Sequence, residues 1–184
     1  QQIGSDLVTL QDNGRLKNGF NSFPFDSEGT PSQETCLIKK GALQTYLHNT
    51  STAKKYGASS TGNAGLIAPE PTNLVVETGD QTFDEMIQSI KKGLYVTNVW
   101  YTRFQNYETG DFSTIPRDGI FYVENGKIQH PVKQLRISEN LLRVIKNIVA
   151  LGREAQQVYS WEVNVPTTTP HVLVKDLNVT KPEA

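Results

Sequence analysis

The hydrophobic pattern changes period several times along the chain, and each change predicts an element. In Ser5–Gln11, Leu7, Val8 and Leu10 sit among polar neighbours, which predicts a strand. Thr35–Lys39 and Ala42–His48 flank Lys40-Gly41, and Ile120–Glu124 and Lys127–Val132 flank Asn125-Gly126. Both read as hairpins, because Gly and Asn-Gly supply the positive φ that a two-residue turn needs. Thr50–Tyr56 predicts a short helix with a Thr or Ser cap, stopped by Gly57. Thr82-Phe83-Asp84-Glu85 has the form of a capping box, and Phe83, Met86, Ile87 and Ile90 make one apolar stripe that Gly93 ends. Leu141, Val144, Ile145, Ile148 and Val149 form a similar stripe, which predicts a helix over Ser138–Leu151 with Gly152 as its stop. Leu74–Glu77, Leu94–Gln105, Tyr159–Val165 and His171–Val179 read as strands, with Pro166–Pro170 as a polar turn. The expectation is an α+β fold: mainly antiparallel sheet, curling towards a barrel, with two or three helices packed on it. Ile38–Gln44 also echoes Val123–Gln129, the form that any Gly-turn hairpin takes.

Two segments break this rhythm. Asp12–Gln33 and Ala58–Pro71 are rich in Gly, Pro, Asn, Asp and Ser, so both read as loops. Structureless loops of that length in a compact domain are often functional. Phe20, Phe23 and Phe25 argue against disorder in the first; the simplest expectation is that they pin it to the body, and the alternative is that they stack on a ligand.

Composition narrows the chemistry. With 184 residues the expectation is one domain over 1–184. Eighteen basic against 19 acidic residues give a net charge of −1, too little basic excess for a general polyanion binder. One cysteine, Cys36, excludes an internal disulfide framework and a multi-thiolate zinc site. No apolar run approaches the ~18–20 residues of a membrane span. The chain opens Gln1-Gln2 without a charged-then-apolar leader, which suggests a processed protein or a fragment. His48, His130 and His171 do not pair at helical spacing, and no HExxH or HExxxH occurs. There is no GxSxG elbow, no P-loop, and no GxGxxG between a strand and a helix. The acidic residues Asp26, Glu28, Asp80, Asp84, Asp111 and Asp118 fall mostly in loops, where turn and cap chemistry accounts for them.

The run Phe25–Gly65 (FDSEGTPSQETCLIKKGALQTYLHNTSTAKKYGASSTGNAG) resembles the TldD/PmbA family, also called modulator of DNA gyrase. Asp26, Glu28, Gly29, Pro31, Gln33, Thr35, Gly41, Leu43, Tyr46 and Leu47 stand at the family's positions, followed by Thr52, Ala53, Gly57, Thr61, Gly62 and Asn63. The helix start at Gly79–Met86, the TGDFS at Thr109–Ser113, the hairpin at Glu124–Lys133 and Leu151-Gly152 continue the resemblance in order. It implies the C-terminal half of a longer, cytoplasmic protein whose N-terminal half is absent. TldD-type members are zinc peptidases whose HExxxH lies in the N-terminal half and whose third ligand is a cysteine near the C-terminus. Here the corresponding stretch, Gly152–Pro166, has no cysteine, so the chain is closer to the PmbA/TldE branch that lacks the zinc motif.

That branch implies no catalytic residue and no metal ligand in this chain, and zinc only if a TldD-type partner or an upstream motif supplies it. It also implies a homodimer or a heterodimer with a TldD-type subunit, and an unfolded peptide as substrate, with no membrane and no nucleic acid. Asp26, Glu28, Gly29, Thr61, Gly62 and Asn63 are the candidates for lining a peptide groove. The same residues also suit difficult turns. The competing reading is a dimerisation or peptide-binding module with no proteolytic role.

Overall fold

The computed structural model describes residues 1–181, which form two units by packing. The first comprises Gln1–Thr78 with Ala155–Pro170, and the second Gly79–Glu154 with the chain from His171 onward. In chain order the elements are β1 (Leu10–Asn13), β2 (Glu34–Lys39), β3 (Ala42–Leu43), α1 (Thr50–Tyr56), β4 (Leu74–Val76), α2 (Phe83–Gln88) and β5 (Lys92–Asn106). Then follow β6 (Asp111–Glu124), β7 (Lys127–Pro131), β8 (Arg136–Asn140), α3 (Leu141–Lys146), β9 (Ile148–Val158), β10 (Thr167–Val174) and β11 (Val179–Thr180). No helix among the described residues is long and apolar enough to cross a membrane.

The first unit is built on antiparallel pairs of β1 with β2 and β4, with β3 outside β2. The start of β10 joins β4 in parallel, with Thr167 opposite Leu74. Its apolar core is small, with Val8, Ile38, Ala53 and Ala64 buried, and many of its other buried side chains are polar. Asp12 and Asn73 are fully covered. Asn73 accepts from the Asn21 amide at 3.0 Å and donates to the Asn13 carbonyl at 3.0 Å and the Ser22 hydroxyl at 3.1 Å. It thereby ties the first long loop to the sheet. The cap of α1 is Asn49 rather than Thr or Ser, and its side chain accepts from the Thr52 amide. Gly57 closes the helix in the left-handed conformation expected of it.

The second unit carries the sheet β11-β8-β6-β5, with β7 paired to β6. Its core is more conventional: Met86, Ile87, Ile120, Val123, Ala150 and Leu151 are buried, each side chain worth roughly 1–3 kcal/mol of hydrophobic burial. The α2 capping box forms as predicted, with Thr82 Oγ1 accepting from the Glu85 amide at 3.1 Å and Glu85 Oε2 accepting from the Thr82 amide at 2.7 Å. Phe83 then packs edge-on against Tyr95 with ring centroids 5.0 Å apart. Both predicted hairpins are present, with positive φ at Lys40 and Gly41 and at Asn125 and Gly126.

Several expectations are corrected. Neither sheet closes into a barrel, because each runs out at a two-residue strand, β3 in one and β11 in the other. The first strand starts at Leu10, not Ser5. Helix α2 ends at Gln88, short of Gly93. The predicted helix over Ser138–Leu151 survives only as the six residues of α3. Ser138 and Asn140 instead pair with Ser113 and Asp111 in β8. Asn140 caps α3, and the β-branched Ile148 and Val149 pass into β9, with Gly152 inside that strand. Tyr159–Val165 is loop, and the Thr167–Thr169 run of the expected polar turn is strand. A threonine run is β-branched, so pairing with β4 outweighs its polarity.

Asn140 accepts from the Leu142 and Arg143 amides at 3.1 and 3.2 Å and donates to Thr109 O and Asp111 Oδ1 at 2.7 and 2.9 Å. Asn140→Ala should lower stability by about 1–2 kcal/mol in urea unfolding, the usual cost of a lost cap. An unchanged midpoint would show that α3 does not depend on it.

Candidate functional site

The second motif loop closes over one buried carboxylate in β1, and the first meets it at Asp26 and Ala64. Asp12, at 1% exposure, takes Thr72 N at 2.6 Å and Thr72 Oγ1 at 3.1 Å on Oδ1. On Oδ2 it takes Asn63 Nδ2 at 2.6 Å and Thr72 Oγ1 at 3.0 Å. Burial raises its pKa above 3.8, while the hydrogen bonds from Asn63 and Thr72 pull it down. Asn63 Nδ2 also donates to the Glu70 carbonyl at 3.1 Å, and the Glu70 amide returns to Asn63 O at 2.8 Å. Facing two acceptors fixes the orientation of the Asn63 amide. Its Oδ1 is then a buried acceptor without a donor.

The six sequence candidates divide. Asp26, Gly62 and Asn63 line a cleft of about 330 Å³. Asp26 binds its own loop through Glu28 N at 3.0 Å and Thr30 N at 2.9 Å, and reaches the second loop through Ala64 N at 2.9 Å. Gly62 has φ of 69°, and a Cβ there would come 2.6 Å from Pro31 O, so only glycine lets the loops approach this closely. Glu28, Gly29 and Thr61 lie outside the lining. Glu28 accepts from Thr50 N at 2.8 Å and Thr50 Oγ1 at 2.6 Å at the start of α1. Gly29 turns the chain at φ of 79°. Thr61 Oγ1 accepts from the His48 amide at 2.8 Å.

The remaining lining includes Phe23, Phe25, Leu66, Glu70 and Thr72, which sequence reasoning did not select. The phenylalanines do not pin the loop inward: Phe25 is 60% exposed, and Phe20 and Phe23 are exposed with it. Phe20 rests against Tyr159, ring centroids 6.2 Å apart. Leu66 is 92% exposed and Ile67 is close to that. The sequence signal was available: three aromatics in a polar loop have no periodicity that would bury them. A cavity of about 600 Å³ in the second unit is larger, but Ile90, Leu94, Val96, Ile137, Val149 and Leu173 make it mainly aliphatic.

A metal does not fit the donors on hand. Among the described residues no three His, Cys, Asp or Glu side chains converge on a metal-holding point. His48 Nδ1 is 3.2 Å from Thr52 Oγ1, His130 lies against the Tyr122 ring and His171 against Phe83. Cys36 Sγ is 3.5 Å from Ile38 O.

Residues 1–181 match the family described as PmbA/TldA metallopeptidase C-terminal domain. The chain belongs to that family. The PmbA/TldA-type domain is 35% identical over 156 residues to Metalloprotease PmbA of Escherichia coli, covering 85% of this chain and 33% of that protein. It is 33% identical over 162 residues to a Metalloprotease TldD homolog of Haemophilus influenzae, covering 85% of this chain and 33% of that protein. It therefore spans about a third of these relatives, and overall identity does not separate the two branches. Among solved structures, a candidate modulator of a DNA gyrase from Thermotoga maritima superposes with a TM-score of 0.88 at 34% identity, covering 98% of this chain and 40% of that one. TldE from Thermococcus kodakarensis shares the fold, with a TM-score of 0.85 at 22% identity over 97% of this chain and 41% of that one.

Asp12→Asn in this domain should cost about 1–3 kcal/mol, because an amide nitrogen would face the donors of either Asn63 or Thr72. The titration gives a second readout. The Asp12 pKa is raised on folding, so its contribution is fully present below pH 3.8 and is lost as pH rises through the folded value. The wild-type advantage over Asp12→Asn should shrink across that window and stay constant above it. A wild-type advantage that does not shrink as pH rises through that window would contradict the assignment.

Proposed function

We propose that this domain holds unfolded peptide in a PmbA/TldE-like protein and leaves the water-activating zinc to a TldD-type partner subunit. The supporting observation is the cleft of the first unit, rimmed by Phe23, Phe25 and Leu66 and floored by Asn63. Exposed aromatic and aliphatic side chains in a soluble domain mark a surface that takes a partner. Residues 155–158, the end of β9 at the edge of its sheet, lead into Tyr159, which touches Phe20 of the cleft loop. An extended peptide can add to such an edge through backbone hydrogen bonds, which give affinity with little sequence preference.

Asp26, Glu28, Gly29, Thr61, Gly62 and Asn63 then shape the groove rather than perform chemistry in it. The pairing is a homodimer or a heterodimer with the TldD-type subunit, working on peptides in the cytoplasm. Leaving zinc to the partner is supported by the donors: among the described residues no three His, Cys, Asp or Glu side chains cluster. The net charge of −1 argues against nucleic acid.

The test is the purified chain alone and mixed with a TldD-type subunit. The expected result is no stoichiometric zinc by elemental analysis and no peptide cleavage alone, with an unfolded peptide bound by the chain and cut only by the mixture. One tightly held zinc per chain, with cleavage that chelation abolishes, would overturn the proposal.

A further inference from the structure

The cleft of the first unit has a chemical bias that a general peptide groove does not need. Its lining includes two carboxylates, Asp26 and Glu70, two phenylalanine rings and no basic side chain. The Asp26 carboxylate accepts three backbone amides but faces no cation. Glu70 is exposed, and a side chain at Gly65 would collide with its carboxylate, so glycine lets it lie along the cleft. Beneath them the Asn63 side chain is 3% exposed, its Oδ1 a covered acceptor that lacks a donor.

We propose that this cleft receives the charged head of an arginine or lysine side chain carried by an extended peptide. The proposal rests on the peptide-holding reading above and adds a substrate preference to it. An anion would meet two carboxylates and no base. A purely apolar group would cover the carboxylates, at the cost of stripping polar groups of water without replacement. A cation answers these features together: its charge faces Asp26 and Glu70, its N–H groups donate to their oxygens, and its face or ammonium packs on Phe23 and Phe25. Arginine fits best, since its planar guanidinium stacks on a ring while its five N–H groups point outward.

The experiment measures fluorescence anisotropy of a labelled peptide, N-acetylated and C-amidated so that no terminal ammonium competes, carrying one arginine or its neutral isostere citrulline. The arginine peptide should bind about tenfold more tightly to the wild-type chain. Glu70→Gln and Phe25→Leu change exposed side chains, and circular dichroism checks that their fold is intact. Glu70→Gln should remove most of the preference while the citrulline peptide binds as before, and Phe25→Leu should weaken both peptides and narrow the gap between them. Equal binding of both peptides by the wild type would overturn this preference and leave peptide holding intact. A preference that persists in both variants would place the cation elsewhere and also overturn it. No binding of either peptide would end the peptide-holding reading together with this one.

Discussion

Burying the Asp12 carboxylate obliges the first unit to bring donors to it from distant parts of the chain. Asn63 lies 51 residues away and Thr72 lies 60 away, and both donate to it at 2.6 Å. An unpaired carboxylate in that position would cost several kcal/mol, so the second loop cannot drift from β1 without exposing or stranding a charge. Geometry that loop composition leaves open is settled this way. Asn63 places Glu70, Ala64 locks onto Asp26, and Gly62 lets its loop close onto Pro31. The cleft follows from the polar core rather than from an apolar one.

This organisation engages the motif residues in hydrogen bonds that hold the loops. Asp26 and Glu28 spend their oxygens on backbone amides, and Thr61 spends its hydroxyl on His48. What they leave available is Glu70 and the phenylalanine faces. The proposed role of the cleft in recognition rests on these groups, in a domain that spans about a third of relatives named as metalloproteases.

The sequence was most legible where a local interaction decides the outcome. The Thr82–Glu85 capping box, the Asn125-Gly126 turn and the Gly57 stop each depend on residues within a few positions, and each formed as read. It misled where a tertiary partner decides. Ile145, Ile148 and Val149 carry helical spacing, yet Asn140 begins the helix late and Asn147 ends it early, and β-branched residues continue as strand. The site was partly legible. The family motifs led to Asp26, Gly62 and Asn63, but nothing local marks Asp12 as the buried partner of Asn63, because they lie far apart along the chain. Glu70 was missed, and the phenylalanines were expected to turn inward, for a related reason: burial is a property of the assembled loops, not of the string.

The most direct test of the central claim is a double-mutant cycle between Asp12 and Asn63, with Asp12→Ala, Asn63→Ala and the double variant compared by urea unfolding. A hydrogen bond to a buried charge predicts a coupling of about 1.5–3 kcal/mol, so the double variant should lose much less than the sum of the single ones. Losses that add to within about 0.5 kcal/mol would show that the two residues act independently and that the cleft is organised by something else.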